Sequence, residues 1–238
     1  MRCHAAVTLA VIAKAPVAGR VKTRLCPPCT SQQAATLAEA ALRDTLAAMA
    51  EVRETASGHG VRRVIVLDGA PGPWHGDERI IAQRGNGLDE RLAAAFDDLR
   101  GTPTLIVGMD TPQLTAALLR DALAALATHD AVLGPVADGG YWCIGLRRAD
   151  PRALLGVPMS TGHTLAAQQD RLDALGLTVA KVGALVDVDT IDDAERVAAL
   201  APQTRFARAF ADLHLTDGGG PVGGRIPAVN RPTRRVAA

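Results

Sequence analysis

The chain has 238 residues and a formal net charge of +1, with 48% hydrophobic residues but only 3% aromatics. A near-neutral balance gives no global reason to expect nucleic acid or an anionic membrane as partner, so any anion site has to be local. No apolar stretch approaches the roughly 20 residues that span a bilayer, and no cleavage pattern follows the first apolar segment, which predicts a cytoplasmic protein without a membrane span. The length accommodates one α/β domain or two small ones, and the Ala/Val/Leu-rich composition favours a single domain of small-residue helices packed on a parallel sheet.

The first apolar segment, residues 6–12, is short enough for a buried strand. It runs into Ala13-Lys14-Ala15-Pro16-Val17-Ala18-Gly19-Arg20-Val21-Lys22-Thr23-Arg24-Leu25. Only three lysines occur in the chain, and two of them, Lys14 and Lys22, lie in this run. A lysine ammonium is a compact point charge and guanidinium a planar fork, so lysine kept among so many arginines points to a use for the point charge. Four cations leaving a strand end through a Pro/Gly loop can surround phosphoryl oxygens at the carboxyl edge of a parallel sheet. An ordinary basic loop uses the same residues, and the Gly-x-x-x-x-Gly-Lys-Ser/Thr pattern of a P-loop is absent. Cys26-Pro27-Pro28-Cys29 has CxxC spacing but no second Cys/His pair at finger spacing, and reduced thiols are expected there.

Ser31 is a candidate N-cap for an Ala-rich helix reaching about Ser57, where Gly58 and Gly60 stop it. Strands and helices then alternate: strand 63–67, helix 88–99, strand 104–107, helix 115–127, strands 131–133 and 141–144, helix 161–175, extended segments 178–180 and 184–186, and helix 191–200. Strands separated by helical segments of ten or more residues indicate crossovers, hence a largely parallel sheet with helices on both faces, a Rossmann-like three-layer α/β/α sandwich. From about Thr216 the chain carries Gly218-Gly219-Gly220 and Gly223-Gly224 with several prolines and arginines, which predicts a disordered basic tail over 216–238 after a domain of residues 1–215.

Four further motifs fall at predicted strand or helix ends. Gln83-Arg84-Gly85-Asn86-Gly87 opens a helix; its glycines allow close backbone approach to a flat base and Gln83 or Asn86 can read an edge, although a tight turn needs the same residues. Gly108-Met109-Asp110-Thr111-Pro112 places a carboxylate at the end of a central strand, suited either to a divalent cation or to a turn. Asp138-Gly139-Gly140 precedes Tyr141, the only tyrosine, and reads as a carboxylate beside bendable backbone or as a hairpin turn. Asp187-Val188-Asp189-Thr190 follows an extended segment, with Asp187 and Asp189 on one face and Thr190 or Asp189 able to cap the next helix. Asp110 plus Asp189 suffices for a hard cation that also takes phosphate oxygens.

The ordered set AKAPVAGRVKTRL, QRGNGLDERL, GMDTP, DGGYWCIGL and DVDTIDDAERV resembles a bacterial family of GT-A-type, glycosyltransferase-like transferases of the nucleotide-diphospho-sugar transferase type, over roughly residues 5 to 200. It is similar, more distantly, to 2-phospho-lactate guanylyltransferase and other GT-A nucleotidyltransferases. The resemblance implies a nucleotide or nucleotide-sugar donor and a small-molecule acceptor. It assigns phosphate binding to Gly19, Arg20, Lys22 and Arg24, and Mg²⁺ or Mn²⁺ to Asp110 and Asp189. Lys14, Gln83, Gly85 and Gly87 complete the expected nucleotide site, with Lys22 and Arg20 neutralising leaving-group charge and Asp138 as a base if the acceptor is a hydroxyl. The last motif departs from the family's usual Asp-Thr-Pro-Glu-Asp, reading Asp189-Thr190-Ile191-Asp192-Asp193. Nucleotidyl transfer is the preferred expectation, glycosyl transfer the alternative, and a non-catalytic nucleotide-binding protein the third.

Overall fold

The computed structural model describes residues 7–213. The expected basic tail, and Cys3, lie outside the described residues. Seven strands form one sheet in the order β3-β2-β1-β4-β6-β5-β7. They are β1 (Val7–Lys14), β2 (Val61–Asp68), β3 (Arg79–Ala82), β4 (Thr104–Gly108), β5 (Ala131–Pro135), β6 (Tyr141–Leu146) and β7 (Val179–Lys181). Pairing is parallel except around β6, which runs antiparallel to both β4 and β5. That reversal brings the start of β6 to the sheet edge where β1 and β4 end.

Helices cover both faces, as the crossover pattern requires: α1 (Ser31–Ala50), α2 (Leu88–Asp98), α3 (Ala116–Thr128), α4 (Thr164–Ala174), α5 (Ile191–Leu200) and α6 (Arg205–Ala211). Strand alternation sorts the core. Leu9, Val11 and Ala13 of β1 pack with Leu42 of α1 and Leu119 of α3, whereas Ala10 faces the opposite cluster with Phe96 of α2 and Leu172 of α4. A third cluster joins Leu37 and Ala41 of α1 to Val188, Val197 of α5 and Phe206 of α6. Each such buried large side chain contributes on the order of 1.5–3 kcal/mol by removal from water.

Several boundaries differ from the pattern reading, each for a local reason. The N-cap of α1 is Thr30, one residue earlier than expected, because its hydroxyl accepts from the Gln33 N–H while the Gln33 side chain accepts from the Thr30 N–H. The helix ends at Ala50, short of Ser57, as Val52 is buried and the Arg53 carbonyl accepts the Val61 N–H to turn the chain into β2. Residues 161–163 precede α4 in a turn tied by Thr161 and Thr164, and 184–186 make only an isolated bridge through Leu185 to Val136. β3 and α6 have no counterpart in the sequence reading. β3 is a four-residue edge strand, too short for a periodic signal. Thr204 caps α6 by accepting the Ala207 N–H at 3.1 Å, and Asp44, 8% exposed on α1, accepts from the Arg205 and Phe206 N–H groups at 3.0 and 2.8 Å, so a distant residue completes the cap.

Candidate active site

One cleft of about 720 Å³ opens where β1 and β4 end and β6 begins. The cationic loop forms one wall, the Gly108–Thr111 turn its floor, and the Asp138, Asp187 and Asp189 segments the facing wall. Stretches far apart in sequence thus meet at one sheet edge, as open α/β sheets arrange their ligand sites.

The loop after β1 is shaped by two positive backbone angles, φ 77° at Gly19 and φ 48° at Lys22. The second is uncommon for a side-chain-bearing residue. It turns Lys22 inward, leaving its side chain 9% exposed, 2.7 Å from Asp110 Oδ1 and 4.0 Å from Asp189 Oδ1, with its ammonium also donating to the Val188 carbonyl. Burial opposes that charge, but the Asp110, Asp187 and Asp189 carboxylates outweigh it and raise the ammonium's pKa. Arg24, whose side chain is 72% exposed, reaches Asp189 Oδ2 at 2.8 Å. Lys14 and Arg20 line the same cleft and form no ion pair among the described residues. All four cations of the loop therefore face one cavity.

The acids converge from three places. Asp110 ends the turn after β4, and its carbonyl accepts the Val188 N–H at 3.0 Å, which fastens the Asp187-Val188-Asp189 segment to the floor. Val188 is 1% exposed and sinks into the helical cluster, so its two neighbours turn toward the cleft. Asp138 joins them across a tight backbone contact: Gly139 has φ +88°, and a Cβ there would lie 2.1 Å from the Gly162 carbonyl oxygen. Ligand oxygens of Asp138, Asp187 and Asp189 lie within 4.8 Å of one another. Burial and then the charge of Asp110 push the Asp187 carboxyl up to about 7; Lys22 pulls the other way, and Asp189 and Asp138 add lesser upward pushes. Its buried Oδ1 has no hydrogen-bond partner among the described residues. A hard divalent cation fits this all-oxygen set, because it satisfies the orphaned oxygen and relieves the mutual repulsion.

The two expected metal residues lie around one ammonium, Asp110 at 2.7 Å and Asp189 at 4.0 Å from Lys22 Nζ; Asp189 also belongs to the three-carboxylate group, and Asp110 holds Lys22 beside it. Asp138, expected as a base, sits among the acids, with Oδ1 accepting the Gly140 N–H at 2.9 Å. Asp187 was readable only as a same-face companion of Asp189; its closeness to Asp138 follows from the parallel bridge of Leu185 to Val136, two residues before each acid.

The expected base-reading segment is more structural than its composition implies. Gln83 lines the cleft, yet both amide hydrogens go to the Ala13 and Val66 carbonyls at 2.8 and 3.0 Å, and its oxygen accepts from Arg91 at 3.2 Å. Gly85, at φ +120°, has no room for a Cβ beside Glu90, and Gly87 precedes α2 as its N-cap; Asn86, Leu88 and Arg91 line the cleft around them. Arg91 also pairs with Asp68 at 3.0 Å. On the other side Tyr141 donates to Gln168 Oε1 at 3.3 Å, which fixes its ring on the cleft wall. Cys29 is buried and Cys26 packs on the same apolar cluster, with burial and the neighbouring Cys26 raising the Cys29 thiol's pKa.

This sheet order, with cations and carboxylates meeting at its edge, defines a GT-A-type fold of the nucleotide-utilising transferase class. The chain belongs to the family described as "Uncharacterized protein conserved in bacteria (DUF2064)", whose model matches residues 33–161, just over half of the sequence. No curated protein matches it in sequence. Among solved structures it is similar to a candidate nucleotide-diphospho-sugar transferase from Desulfovibrio desulfuricans, at 26% identity and TM-score 0.73 over 87% of this chain and 94% of that one. It shares the fold of 2-C-methyl-D-erythritol 4-phosphate cytidylyltransferase from Thermus thermophilus, at 16% identity and TM-score 0.50 over 84% and 99% of the two chains. It also shares the fold of glucosyl-3-phosphoglycerate synthase from Mycobacterium tuberculosis, solved with Mn²⁺, UDP and glucosyl-3-phosphoglycerate, at 12% identity and TM-score 0.50 over 90% and 82%.

Proposed function

We propose that the chain is a metal-dependent nucleotidyltransferase that moves a nucleoside monophosphate from a nucleoside triphosphate to a small phosphorylated acceptor. The observation that carries this reading is the single cleft in which Lys14, Arg20, Lys22 and Arg24 face Asp138, Asp187 and Asp189. The acceptor's phosphate oxygen forms a bond to the α-phosphorus, the bond from that phosphorus to the β-bridging oxygen breaks, and pyrophosphate leaves with the electron pair. Lys22 and Arg20 neutralise charge gathering on the leaving group, while Lys14 and Arg24 hold the phosphate chain in line, so the protein's contribution is positioning and fixed charge. Asp138, Asp187 and Asp189 would hold Mg²⁺ or Mn²⁺. The bound ion supplies Lewis-acid stabilisation of phosphoryl oxygens. Asp110 serves this reading by fixing Lys22, and it stands beside the group as the fourth acid that the reading counts toward the metal.

A second reading, glycosyl transfer from a nucleoside diphosphate sugar, is favoured by the pairing of Lys22 and Arg24 with Asp110 and Asp189. Only Lys14 and Arg20 then stand without carboxylate partners, a charge better matched to a diphosphate. The two readings separate on incubation with nucleoside triphosphates and nucleotide sugars, Mg²⁺ or Mn²⁺ and a mixture of phosphorylated and hydroxyl acceptors. Pyrophosphate released from a triphosphate supports the first. Release of a nucleoside diphosphate from a nucleotide sugar, with none of the former, supports the second. Nucleotide binding without either product points to a non-catalytic binding protein.

A further inference from the structure

The two cations that meet the acids are held very differently. The Lys22 ammonium is buried and fixed by Asp110 and the Val188 carbonyl, so it cannot leave without disrupting both. Arg24 has one carboxylate partner, Asp189, at 2.8 Å, and its side chain is 72% exposed. Its backbone is anchored, since the next residue, Leu25, is 0% exposed in the helical cluster. The guanidinium can therefore swing while the loop stays in place. Both oxygens of Asp189 face cations, Oδ2 toward Arg24 and Oδ1 toward Lys22. A metal that draws on Asp189 has to compete with this arrangement.

We infer that Arg24 is an exchangeable counter-ion, which holds Asp189 until metal arrives and then turns its guanidinium to the phosphate chain, so that metal and phosphate bind cooperatively through one side chain. This inference rests on the reading of the acid group as a metal site and adds a coupling role for Arg24. Guanidinium suits the exchange, because its planar fork matches carboxylate and phosphate oxygens alike. Binding linkage makes the coupling reciprocal: whatever factor phosphate adds to metal affinity, metal adds to phosphate affinity. Arg24 is thus a positioning residue whose absence has opposite effects on the binding of metal alone and on its coupling to phosphate.

The test uses the full chain, Mn²⁺ and inorganic pyrophosphate as a base-independent phosphate probe, with affinities measured by calorimetry for each alone and for each in the presence of the other. Arg24→Gln is expected to bind Mn²⁺ alone about two- to fivefold more tightly than wild type, the range set by losing a partly exposed ion pair. In the same variant the mutual enhancement between Mn²⁺ and pyrophosphate falls, and Arg24→Lys restores part of it. An Arg24→Gln chain that binds Mn²⁺ alone no more tightly than wild type, or keeps the full enhancement, overturns the inference and leaves the metal site standing. A wild-type chain that binds no Mn²⁺ with or without pyrophosphate overturns the metal site and the inference together.

Discussion

The ammonium of Lys22 lies 2.7 Å from Asp110 Oδ1, joining the loop after the first strand to the turn after the fourth. Because Lys22 adopts a left-handed backbone at φ 48°, its side chain points under the loop rather than out to solvent. The pair is the hinge between the positive and negative halves of the cleft.

Replacing Lys22 by Met leaves Asp110 without its partner. Asp110 is 37% exposed at the side chain, so the stability loss is expected at about 1–2 kcal/mol, less than for a fully buried pair. Turnover is expected to fall about 10²–10³-fold, as for removal of one preorganised charge donor. Urea unfolding and initial rates read the two effects separately. Lys22→Arg should recover stability more than rate, because the fork does not reproduce a point charge.

Stability of the metal-free chain should fall as pH rises from about 4 to about 7. The folded Asp187 carboxyl is pushed up to about 7 from an ordinary 3.8, by burial first and then by Asp110, Asp189 and Asp138. In that window the folded state keeps a proton that the unfolded state has released, so its contribution is present below the lower value and lost through the upper one. Asp187→Asn should flatten this slope in urea midpoints measured across the range. Mn²⁺ affinity in the wild type should rise over the same interval, as the ligand has to ionise.

Gly139→Ala should damage the site through the backbone. Its Cβ would sit 2.1 Å from the Gly162 carbonyl oxygen at a φ of +88°, which side-chain-bearing residues rarely adopt. A loss of about 2–3 kcal/mol is expected, together with weaker Mn²⁺ binding because Asp138 is displaced. Differential scanning calorimetry and metal titration check both.

Asp44→Ala should cost about 2 kcal/mol with unchanged metal binding, because Asp44 accepts the Arg205 and Phe206 N–H groups at the start of α6 and none of the three residues lines the cleft. A lowered denaturant midpoint with wild-type Mn²⁺ affinity is the expected pair of results.

Much of this arrangement was legible because it rests on local signals. Apolar runs and helical periodicity mark β1, β2, β4, β6 and α2 through α5, and a Gly/Pro loop rich in cations marks the phosphate-facing wall. Short elements that lean on distant partners gave a weaker signal: β3 is ordered by pairing with β2, and the seven-residue α6 is capped locally by Thr204 but also tied to Asp44 of α1. The same division runs through the site. Asp189 and Lys22 stand out by motif, and the short Asp138-Gly139-Gly140 link marks the β5–β6 hairpin, whereas the grouping of Asp138 with Asp187 follows from the bridge of Leu185 to Val136, a pairing of distant segments with no local signal. Gln83 shows the opposite case: it lines the cleft as its motif suggests, but its amide hydrogens are also bonded to the Ala13 and Val66 carbonyls, a use that the motif does not announce.

The most direct measurement is anomalous diffraction from crystals of the chain soaked with Mn²⁺ and a nucleoside diphosphate. A manganese peak bounded by Asp138, Asp187 and Asp189, with the phosphates between it and Lys22, Arg20 and Lys14, is the predicted result. A nucleotide bound elsewhere on the molecule, or manganese away from those three carboxylates, would contradict the account.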